Sequence, residues 1–361
     1  MTVDGAGVAF LGLGALGAPM ALNLCRAGLP LTVHNRGRRR EESLEAAGAR
    51  RADSPAAAAR RAGLICLCLS DDAAVEEVLF GAAGVAGGAP AGALVIDFST
   101  IAPATSRGAA ARLAERGLAY LDAPVTGGTE GAAAGRLSVL VGGEREDLER
   151  ALPLLRVVGE RITHLGPVGA GQEAKAVNQV LVAGTYAAVA EAMTLGRRLG
   201  LPMERLRQAL ISGAAGSWAL EHRAPHMLAG HFPLGFRLAL HRKDLRIALE
   251  AARGVSLELP LSQQVAAIED ALLARGHGDE DVSVLARWFA PDGLQNGDSH
   301  GSAMDPSPEA GVDHPHDFDT QKRIHRKIRN DPDYDDWEYG TEPLPHESWR
   351  PPAPPAGESQ A

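Results

Sequence analysis

The feature that most constrains how this chain can fold is a glycine-rich turn near its start, Gly12-Leu13-Gly14-Ala15-Leu16-Gly17. The turn follows the apolar run VAFLGL, which predicts a strand, and precedes a segment with the apolar spacing of a helix. In such a turn the first glycine permits the sharp bend, the second lets the backbone approach a ligand, and the third lets helix and strand pack closely. The spacing therefore predicts the first unit of an open, twisted α/β sheet.

Strand and helix patterns alternate from there to residue 165. The further apolar runs are separated by alanine-rich segments that begin at cap residues, such as Ser54 before Pro55. The runs are LTVHN, LICLCL, ALVIDF, LAYLDA, LSVLVGG and ITHLG. Such alternation predicts a doubly wound, mostly parallel Rossmann sheet, and we expect this domain to occupy residues 1–168.

The pattern changes after Gly171, where strands no longer interrupt the helical spacing. Residues 172–200 contain no proline and only isolated glycines, so they predict one long helix. Shorter helical segments follow at 203–213, 241–253, 262–275 and 280–288. We therefore expect an all-α domain over residues 169–293.

The last segment, residues 294–361, has a different composition. Ten of the 23 prolines lie after Asn296, and fourteen acidic residues outnumber six basic ones there. A segment so poor in aliphatic residues buries too little surface to offset its ordering entropy, so we expect an acidic, proline-rich, disordered tail. The histidines and carboxylates of its DHPHDFD stretch offer a metal site as the alternative. We predict no metal there, because disorder implies no rigid geometry.

Charge and composition exclude several classes of function. The net charge is −9 and the tail carries nearly all of it, so the body has no basic face broad enough for a nucleic acid. No apolar run is long and clean enough to cross a bilayer, and the N-terminus lacks the positive start of a signal peptide. The three cysteines lack the spacing of a disulfide framework. We expect a cytoplasmic protein without nucleic-acid or membrane partners.

The glycine turn also predicts a dinucleotide cofactor. The start of a helix offers unpaired N–H groups and a partial positive charge to a pyrophosphate. The alternative is that the glycines serve only the packing of helix on strand. Because the turn lies between a predicted strand and a predicted helix, we favour cofactor binding, with contacts from Gly12, Gly14, Ala15, Leu16 and Gly17.

The end of the second predicted strand indicates which dinucleotide binds. NAD enzymes usually place a carboxylate there for the ribose 2′-hydroxyl, whereas this chain has Asn35 followed by Arg36. Further arginines follow, up to Arg40, and guanidinium groups are the partners that a 2′-phosphate requires. The alternative is a solvated basic start to the next helix, paired with Glu41 and Glu42. We expect NADP, with NAD as the second choice, bound by Asn35, Arg36 and Arg40.

Four segments, taken in order, resemble the signatures of the β-hydroxyacid dehydrogenase family, which includes 3-hydroxyisobutyrate dehydrogenases, tartronate semialdehyde reductases and glyoxylate reductases. They are FLGLGALGAPMALNLCRAG, DAPVTGGTEGAAAG, GAGQEAKAVNQ and FRLALHRKDLRIALEAA. The resemblance covers about residues 7–290, with departures from the commoner family residues at Leu16, Thr126 and Gln179. It implies an NAD(P)-dependent oxidoreductase that interconverts a small hydroxy acid and its semialdehyde or keto acid.

The same resemblance implies that Lys175 is catalytic and that Asn178 and the loop Thr126, Gly127 and Gly128 bind a carboxylate-bearing substrate. Lysine can give a proton to a carbonyl oxygen or take one from an alcohol, particularly when burial lowers its pKa. Asn178 lies three residues on, on the same helical face, and adjacent glycines let N–H groups converge on an anion. The alternatives are a solvated lysine, an asparagine bonded within its helix and a flexible crossover loop.

Three further elements are assigned to the cofactor by the resemblance. Leu69 and Ser70 follow one predicted strand and Thr100 follows the next, at the strand ends where ligands lie in open α/β sheets. Lys243, within HRKDL, matches a family lysine near the nicotinamide. Its alternative is an exposed lysine paired with Asp244.

Two other functions stay open on the sequence. Imine reductases share the architecture and cofactor but generally lack a lysine at the position of Lys175. A catalytically silent NADP-binding module, whose tail contacts a partner, would not need the pair of Lys175 and Asn178. Family members are usually homodimers or homotetramers, and the apolar long helix is compatible with subunit packing.

Overall fold

The structure of the chain, a computed structural model, describes residues 7–290. The predicted tail, including DHPHDFD, lies outside the described residues, so its disorder stays a prediction. Within the described range no helix is long and apolar enough to span a membrane. The same range contains no cluster of three or more His, Cys, Asp or Glu side chains suited to a metal ion.

The described chain begins with alternating strands and helices. The strands are β1 (Gly7–Leu11), β2 (Leu31–His34), β3 (Arg50–Arg51), β4 (Ala62–Leu67), β5 (Leu94–Asp97), β6 (Ala119–Asp122), β7 (Val125–Thr126), β8 (Leu137–Gly142) and β9 (Gly159–Gly166). The helices among them are α1 (Gly17–Arg26), α2 (Glu42–Ala46), α3 (Pro55–Ala59), α4 (Asp72–Phe80), α5 (Pro103–Ala114), α6 (Gly128–Ala134) and α7 (Arg145–Val158). Short 3-10 helices occur at Arg38–Glu41 and Val85–Gly87.

These strands form one sheet in the order β3-β2-β1-β4-β5-β6-β8-β7, with β9 beside β8. All pairings from β3 to β6 are parallel, whereas β8 runs antiparallel to β6 and β7 and parallel to β9. The predicted doubly wound, mostly parallel sheet is confirmed. Strands β3 and β7 were not predicted, because each is only two residues long.

Both faces of the sheet are buried. On β1, Val8 and Phe10 belong to the core on one face, while Ala9 and Leu11 belong to the core on the other. Successive side chains of a strand point to opposite faces, so a strand covered on both sides is apolar throughout. This explains the continuous apolar runs and places the ends of the central strands at one edge, where loops can build a site.

Beyond Gly166 the described chain is helical. It contains α8 (Ala170–Arg198), α9 (Met203–Ile211), α10 (Trp218–His222), α11 (Ala224–Ala229), α12 (Leu238–Gly254), α13 (Pro260–Ala274), a 3-10 helix at Val282–Leu285 and α14 (Ala286–Phe289). The 29 residues of α8 extend over about 44 Å, and the later helices pack against it. The all-α prediction is confirmed. Two details differ: α10 and α11 were not predicted, and the segment expected to be helical over 280–288 begins as a 3-10 helix.

Candidate active site

The glycine turn connects β1 to α1, and its three glycines have different surroundings. Gly12 has a φ of +94°, a conformation that favours glycine, and a Cβ there would collide with the carbonyl oxygen of Cys68. A Cβ at Gly17 would collide with the carbonyl oxygen of Gly12. Nothing lies within 4 Å of the Cβ position of Gly14. The next residues are Ala15, which is exposed, and Leu16, which is half-buried. This open space beside the start of a ten-residue helix fits the phosphates of a dinucleotide.

The side chains of Asn35 and Arg40 both form hydrogen bonds with Leu13 of this turn. Asn35 Oδ1 accepts the N–H of Leu13 at 2.9 Å, and Arg40 Nη1 donates to the carbonyl oxygen of Leu13 at 3.2 Å. Arg36 is exposed and has no hydrogen bond or ion pair with another residue in the range 7–290. Three residues after β2 were predicted to bind NADP, and among them the guanidinium of Arg36 is available to a ligand.

One carboxylate lies near the end of β2, but it is already occupied. Glu41 is fully buried, its Oε1 accepts the N–H of Asn35 at 2.9 Å, and its Oε2 pairs with Arg51 Nε at 2.8 Å and Arg38 Nε at 3.3 Å. It therefore does not replace the missing acceptor for a ribose 2′-hydroxyl. The alternative for the basic run, pairing with Glu41, holds for Arg38 but not for Arg36.

Leu69, Ser70 and Thr100 lie after the adjacent strands β4 and β5. The N–H of Leu69 donates to Ser99 Oγ at 2.9 Å, which joins the two strand ends. A Cβ at Gly12 would come within 2.8 Å of the Leu69 side chain, while Ser70 is exposed. The structure thus brings these residues to the edge of the glycine turn, and their contact with a cofactor stays a prediction.

Lys175 lies in the second turn of α8 and is buried, with 7% of its surface exposed. Its Nζ donates to the carbonyl oxygen of Val125 at 2.9 Å, directly before the Thr126–Gly128 loop. Burial lowers the pKa of Lys175 to about 8; the carboxylate of Asp244 opposes this shift and the charge of Lys243 adds to it. The alternative of a solvated surface lysine is wrong. A lysine with this pKa can gain or lose a proton near neutral pH.

The predicted substrate loop turns sharply beside this lysine. Thr126 ends β7, and Gly127 and Gly128 have φ values of +129° and +64°, which favour glycine. Gly127 is exposed, and Thr126 and Gly128 are half-buried. Since Lys175 donates to the carbonyl oxygen of Val125, the loop and the lysine are neighbours, and we call the region formed by this loop and the start of α8 the cleft.

Asn178 lies one turn further along α8 and is half-buried. Its Nδ2 donates to Gln179 Oε1 at 2.7 Å, and Gln179 Nε2 donates to Asp244 Oδ2 at 2.7 Å. Asp244, buried on α12, pairs through Oδ1 with Lys243 Nζ at 2.8 Å. Lys243 also donates to the carbonyl oxygen of Thr100. Pairing of Lys243 with Asp244 is therefore present, but the expected exposure is not, since 17% of the Lys243 side chain is accessible.

Two residues that the sequence analysis did not assign hold α8 against the sheet. Asp122, at the end of β6, accepts the N–H of Gly169 at 2.8 Å and that of Gln172 at 2.9 Å, so it caps the start of α8. Gln172 Nε2 donates to the carbonyl oxygen of Ser99 at 2.8 Å, and its Oε1 accepts the N–H of Ile101 at 3.2 Å. Both residues lie within segments that carry the family resemblance, so those segments could have identified them.

A third unassigned residue, Arg223, connects the helices to the substrate loop. Its Nη2 donates to Glu130 Oε1 at 3.0 Å, its Nε lies 3.6 Å from Asp281 Oδ1, and its guanidinium lies over the Trp218 ring at 4.7 Å. Glu130 belongs to α6, which begins in the substrate loop. Arg223 lies outside the four family-like segments, so no sequence pattern pointed to it.

Family models match both parts of this site. Residues 7–166 match the NAD binding domain of 6-phosphogluconate dehydrogenase, and residues 169–289 match a model described as NAD-binding of NADP-dependent 3-hydroxyisobutyrate dehydrogenase. The first match contains the glycine turn and the substrate loop, and the second contains Lys175 and Lys243.

Known proteins match over nearly their whole length. The chain is 40% identical over 293 residues to the NAD-dependent L-serine dehydrogenase of Pseudomonas aeruginosa, covering 79% of this chain and 98% of that one. It is 38% identical over 278 residues to the 2-hydroxy-3-oxopropionate reductase of Escherichia coli, covering 77% and 95%. A solved 3-hydroxyisobutyrate dehydrogenase of Mycobacterium tuberculosis with L-serine has a TM-score of 0.71 at 33% identity, covering 78% and 98%.

These matches include the sheet, the helical part and the cleft between them. The chain therefore belongs to the β-hydroxyacid dehydrogenase family and is an NAD(P)-dependent oxidoreductase of the 3-hydroxyisobutyrate dehydrogenase type.

Proposed function

We propose that this chain reduces a short, carboxylate-bearing semialdehyde or keto acid and oxidises the corresponding hydroxy acid, with Lys175 as proton donor and acceptor. The observation that carries the proposal is the burial of Lys175 against the carbonyl of Val125, beside the Thr126–Gly128 loop. Burying a lysine costs free energy, so a buried lysine with a strongly shifted pKa indicates a functional site, and a pKa of about 8 suits an acid–base step.

Each group in the cleft has a part in this chemistry. When bound, the nicotinamide supplies hydride to the carbonyl carbon or accepts it from the alcohol. Protonated Lys175 gives a proton from Nζ to the oxygen that becomes the hydroxyl, and neutral Lys175 takes it back in oxidation. The amide of Asn178 holds the same oxygen. The Thr126 hydroxyl and the N–H groups of Gly127 and Gly128 bind the carboxylate.

We propose NADP as the preferred cofactor. The unpartnered guanidinium of Arg36 supports this, as does the full occupation of the Glu41 carboxylate by protein donors. The open face at Gly14 accommodates the pyrophosphate of NADP or NAD equally. The Pseudomonas relative is named as NAD-dependent, so both cofactors belong in the assay.

A panel assay tests the function. Glyoxylate, succinic semialdehyde, tartronate semialdehyde, 3-hydroxyisobutyrate and L-serine are assayed with both cofactors in the wild type and in Lys175→Ala. We expect turnover of at least one compound and a loss of about 10²–10⁴-fold in Lys175→Ala, with cofactor affinity retained. Full activity of Lys175→Ala would refute the mechanism. A cyclic imine is added to the panel, and turnover of that imine alone would indicate an imine reductase. Cofactor binding without turnover of any compound would indicate a silent module.

We further propose that the chain forms homodimers or homotetramers through α8. Val177, Leu181, Leu195 and Leu199 lie on one outer face of this helix, and each is at least 60% exposed. Large aliphatic side chains aligned in this way are a surface that a second copy would cover. Light scattering should give the mass of a dimer or tetramer, and Leu181→Asp should reduce it; a monomeric wild type would contradict the proposal.

We also propose domain boundaries and a cellular location for this chain. The sheet ends at Gly166 and α8 begins at Ala170, which supports our boundary between residues 1–168 and 169–293. The proposed boundary of the tail, 294–361, lies outside the described residues. Cys25, Cys66 and Cys68 are unpaired, which supports a reducing, cytoplasmic location that cell fractionation would test.

A further inference from the structure

We propose that Gln179 is a positioning residue that fixes the Asn178 amide and the Asp244 carboxylate at the same time. The same two bonds connect Asn178 with the pair formed by Asp244 and Lys243. This inference rests on the proposed function, because it assigns Asn178 to the substrate.

Gln179 is enclosed by protein and uses both ends of its amide. Its exposed fraction is 1%, its Oε1 accepts from Asn178 Nδ2 at 2.7 Å, and its Nε2 donates to Asp244 Oδ2 at 2.7 Å. Adjacent residues on a helix point about 100° apart, so a bond between Asn178 and Gln179 is not a usual consequence of helix geometry. Because only 1% of its surface is exposed, the Gln179 side chain is not accessible to a substrate. Its effect on catalysis must act through its two partners.

The direction of each hydrogen bond follows from the carboxylate. An ionised Asp244 only accepts, so Gln179 must turn its amide nitrogen to it and its amide oxygen to Asn178. Asn178 must then contribute an N–H to this bond. One hydrogen of Asn178 Nδ2 and its Oδ1 remain for a ligand. Gln179 thus prevents the Asn178 amide from rotating about its last torsion.

The same bond restrains the other side of the cleft. Asp244 uses its second oxygen to pair with Lys243 Nζ at 2.8 Å, and Lys243 donates to the carbonyl oxygen of Thr100. The contacts therefore run without a break from Asn178 to the end of β5, through residues of α8 and α12. Because Gln179 holds one oxygen of Asp244, the other stays directed at Lys243 rather than toward Lys175, whose charge it also influences.

The first test removes both hydrogen bonds while keeping the size of the side chain. In Gln179→Met we expect kcat/KM for the hydroxy acid to fall about tenfold to a hundredfold, mostly through KM, because buried polar groups lose their partners. NADPH affinity should stay within about threefold. The matched control is Gln208→Met, which removes an exposed glutamine that also donates to a carboxylate, Glu204, at 2.9 Å. The control should leave kcat and KM unchanged.

The second test separates hydrogen-bond direction from packing. Gln179→Glu alone places a second carboxylate against Asp244 and should reduce kcat/KM more than Gln179→Met. Adding Asp244→Asn rebuilds the bridge with donor and acceptor exchanged. The double variant should therefore recover at least about tenfold over Gln179→Glu, although its pair with Lys243 is weaker.

Two results would overturn this inference while leaving the proposed function intact. One is wild-type kinetics in Gln179→Met. The other is a double variant whose loss equals the product of the losses measured in Gln179→Glu alone and in Asp244→Asn alone, since packing alone would give that result. A wild type that turns over none of the panel overturns the proposed function and this inference with it.

Discussion

Replacing Lys175 by methionine should reduce turnover about 10²–10⁴-fold and at the same time stabilise the fold. Methionine has a similar length and fills the same buried space, but it carries no charge that must be removed from water. The structure therefore predicts opposite effects on activity and stability from one substitution. Such a trade-off is expected where a group is buried for chemistry rather than for packing.

The size of the gain follows from the lysine's pKa. Lowering the pKa of Lys175 from 10.5 to about 8 corresponds to about 3 kcal/mol of destabilisation while the side chain is protonated. Methionine removes this destabilisation by the buried charge. It also leaves the Val125 carbonyl without its donor, which costs about 1 kcal/mol. We expect a net gain of about 2 kcal/mol in the free energy of unfolding at pH 7.

The pH dependence gives the gain a signature. Below pH 8 the lysine is protonated in both folded and unfolded chains, so the full penalty is present. Between about pH 8 and 10.5 the folded state has lost the proton that the unfolded state keeps, so wild-type stability rises relative to Lys175→Met. Urea unfolding followed by circular dichroism at pH 7, 9 and 10.5 should show the difference shrinking as the pH rises.

Lys243→Met is the matched control, because Lys243 forms an ion pair with a buried carboxylate whereas burial destabilises the charge of Lys175. Lys243 pairs with the buried Asp244, so removing it leaves an uncompensated carboxylate and should destabilise the fold by about 3 kcal/mol. If both methionine variants lose stability to a similar extent, or if the gain of Lys175→Met does not change with pH, the reasoning about Lys175 is wrong.

Three further predictions concern the cofactor and the proton. For reduction, kcat/KM should be constant below about pH 8 and should fall above it, because Lys175 loses its proton. For oxidation, kcat/KM should rise over the same pH range, and pH profiles of both directions test this. Gly14→Ala should fold normally with an NADPH KM raised about tenfold, whereas Gly17→Ala should lower Tm because its Cβ meets the carbonyl oxygen of Gly12; thermal melts and kinetics separate the two. Arg36→Ala should reduce kcat/KM with NADPH about tenfold and spare NADH, with the exposed Arg39→Ala as control; equal losses with both cofactors would exclude a 2′-phosphate site at Arg36.

Much of the fold could be predicted because its determinants are local. Ser54 caps α3 as expected, with its Oγ accepting the N–H of Ala57 at 3.1 Å, and the continuous apolar runs became the central strands. Periodicity needs length, however. The two-residue strands β3 and β7 and the five- and six-residue helices α10 and α11 are too short to show it.

The parts of the candidate site that are local in sequence could be predicted, and the parts that depend on distant residues could not. The glycine turn is contained in six consecutive residues, so its conformation could be predicted directly. Lys175 became a candidate only through a resemblance, because its burial depends on Val125, 50 residues away in the chain. The bond from Gln179 to Asp244 joins residues 65 apart, and Arg223 reaches Glu130 across 93. Contacts at such separations are set by tertiary packing, which no local pattern records.

The charges of the cleft lead to one last prediction about how substrate and proton are linked. The nearby charge of Lys243 disfavours protonated Lys175, Asp244 favours it, and Asp71 interacts with Lys243 in turn. A bound carboxylate adds one further negative charge beside Lys175. A negative charge about 6 Å from Lys175 Nζ, at an effective dielectric constant of about 20, favours its protonated form by about 3 kcal/mol before screening. Screening reduces this effect to an increase in pKa of about one pH unit.

The pKa seen in kcat, which reports the substrate complex, should therefore lie about one pH unit above the pKa of about 8 seen in kcat/KM, which reports the free enzyme. An uncharged carbonyl compound that is turned over should leave the two values equal, because it brings no charge. If a carboxylate substrate also leaves them equal, its carboxylate lies too far from Lys175 for the Thr126–Gly128 loop to hold it, and the substrate assignment of that loop would have to be abandoned.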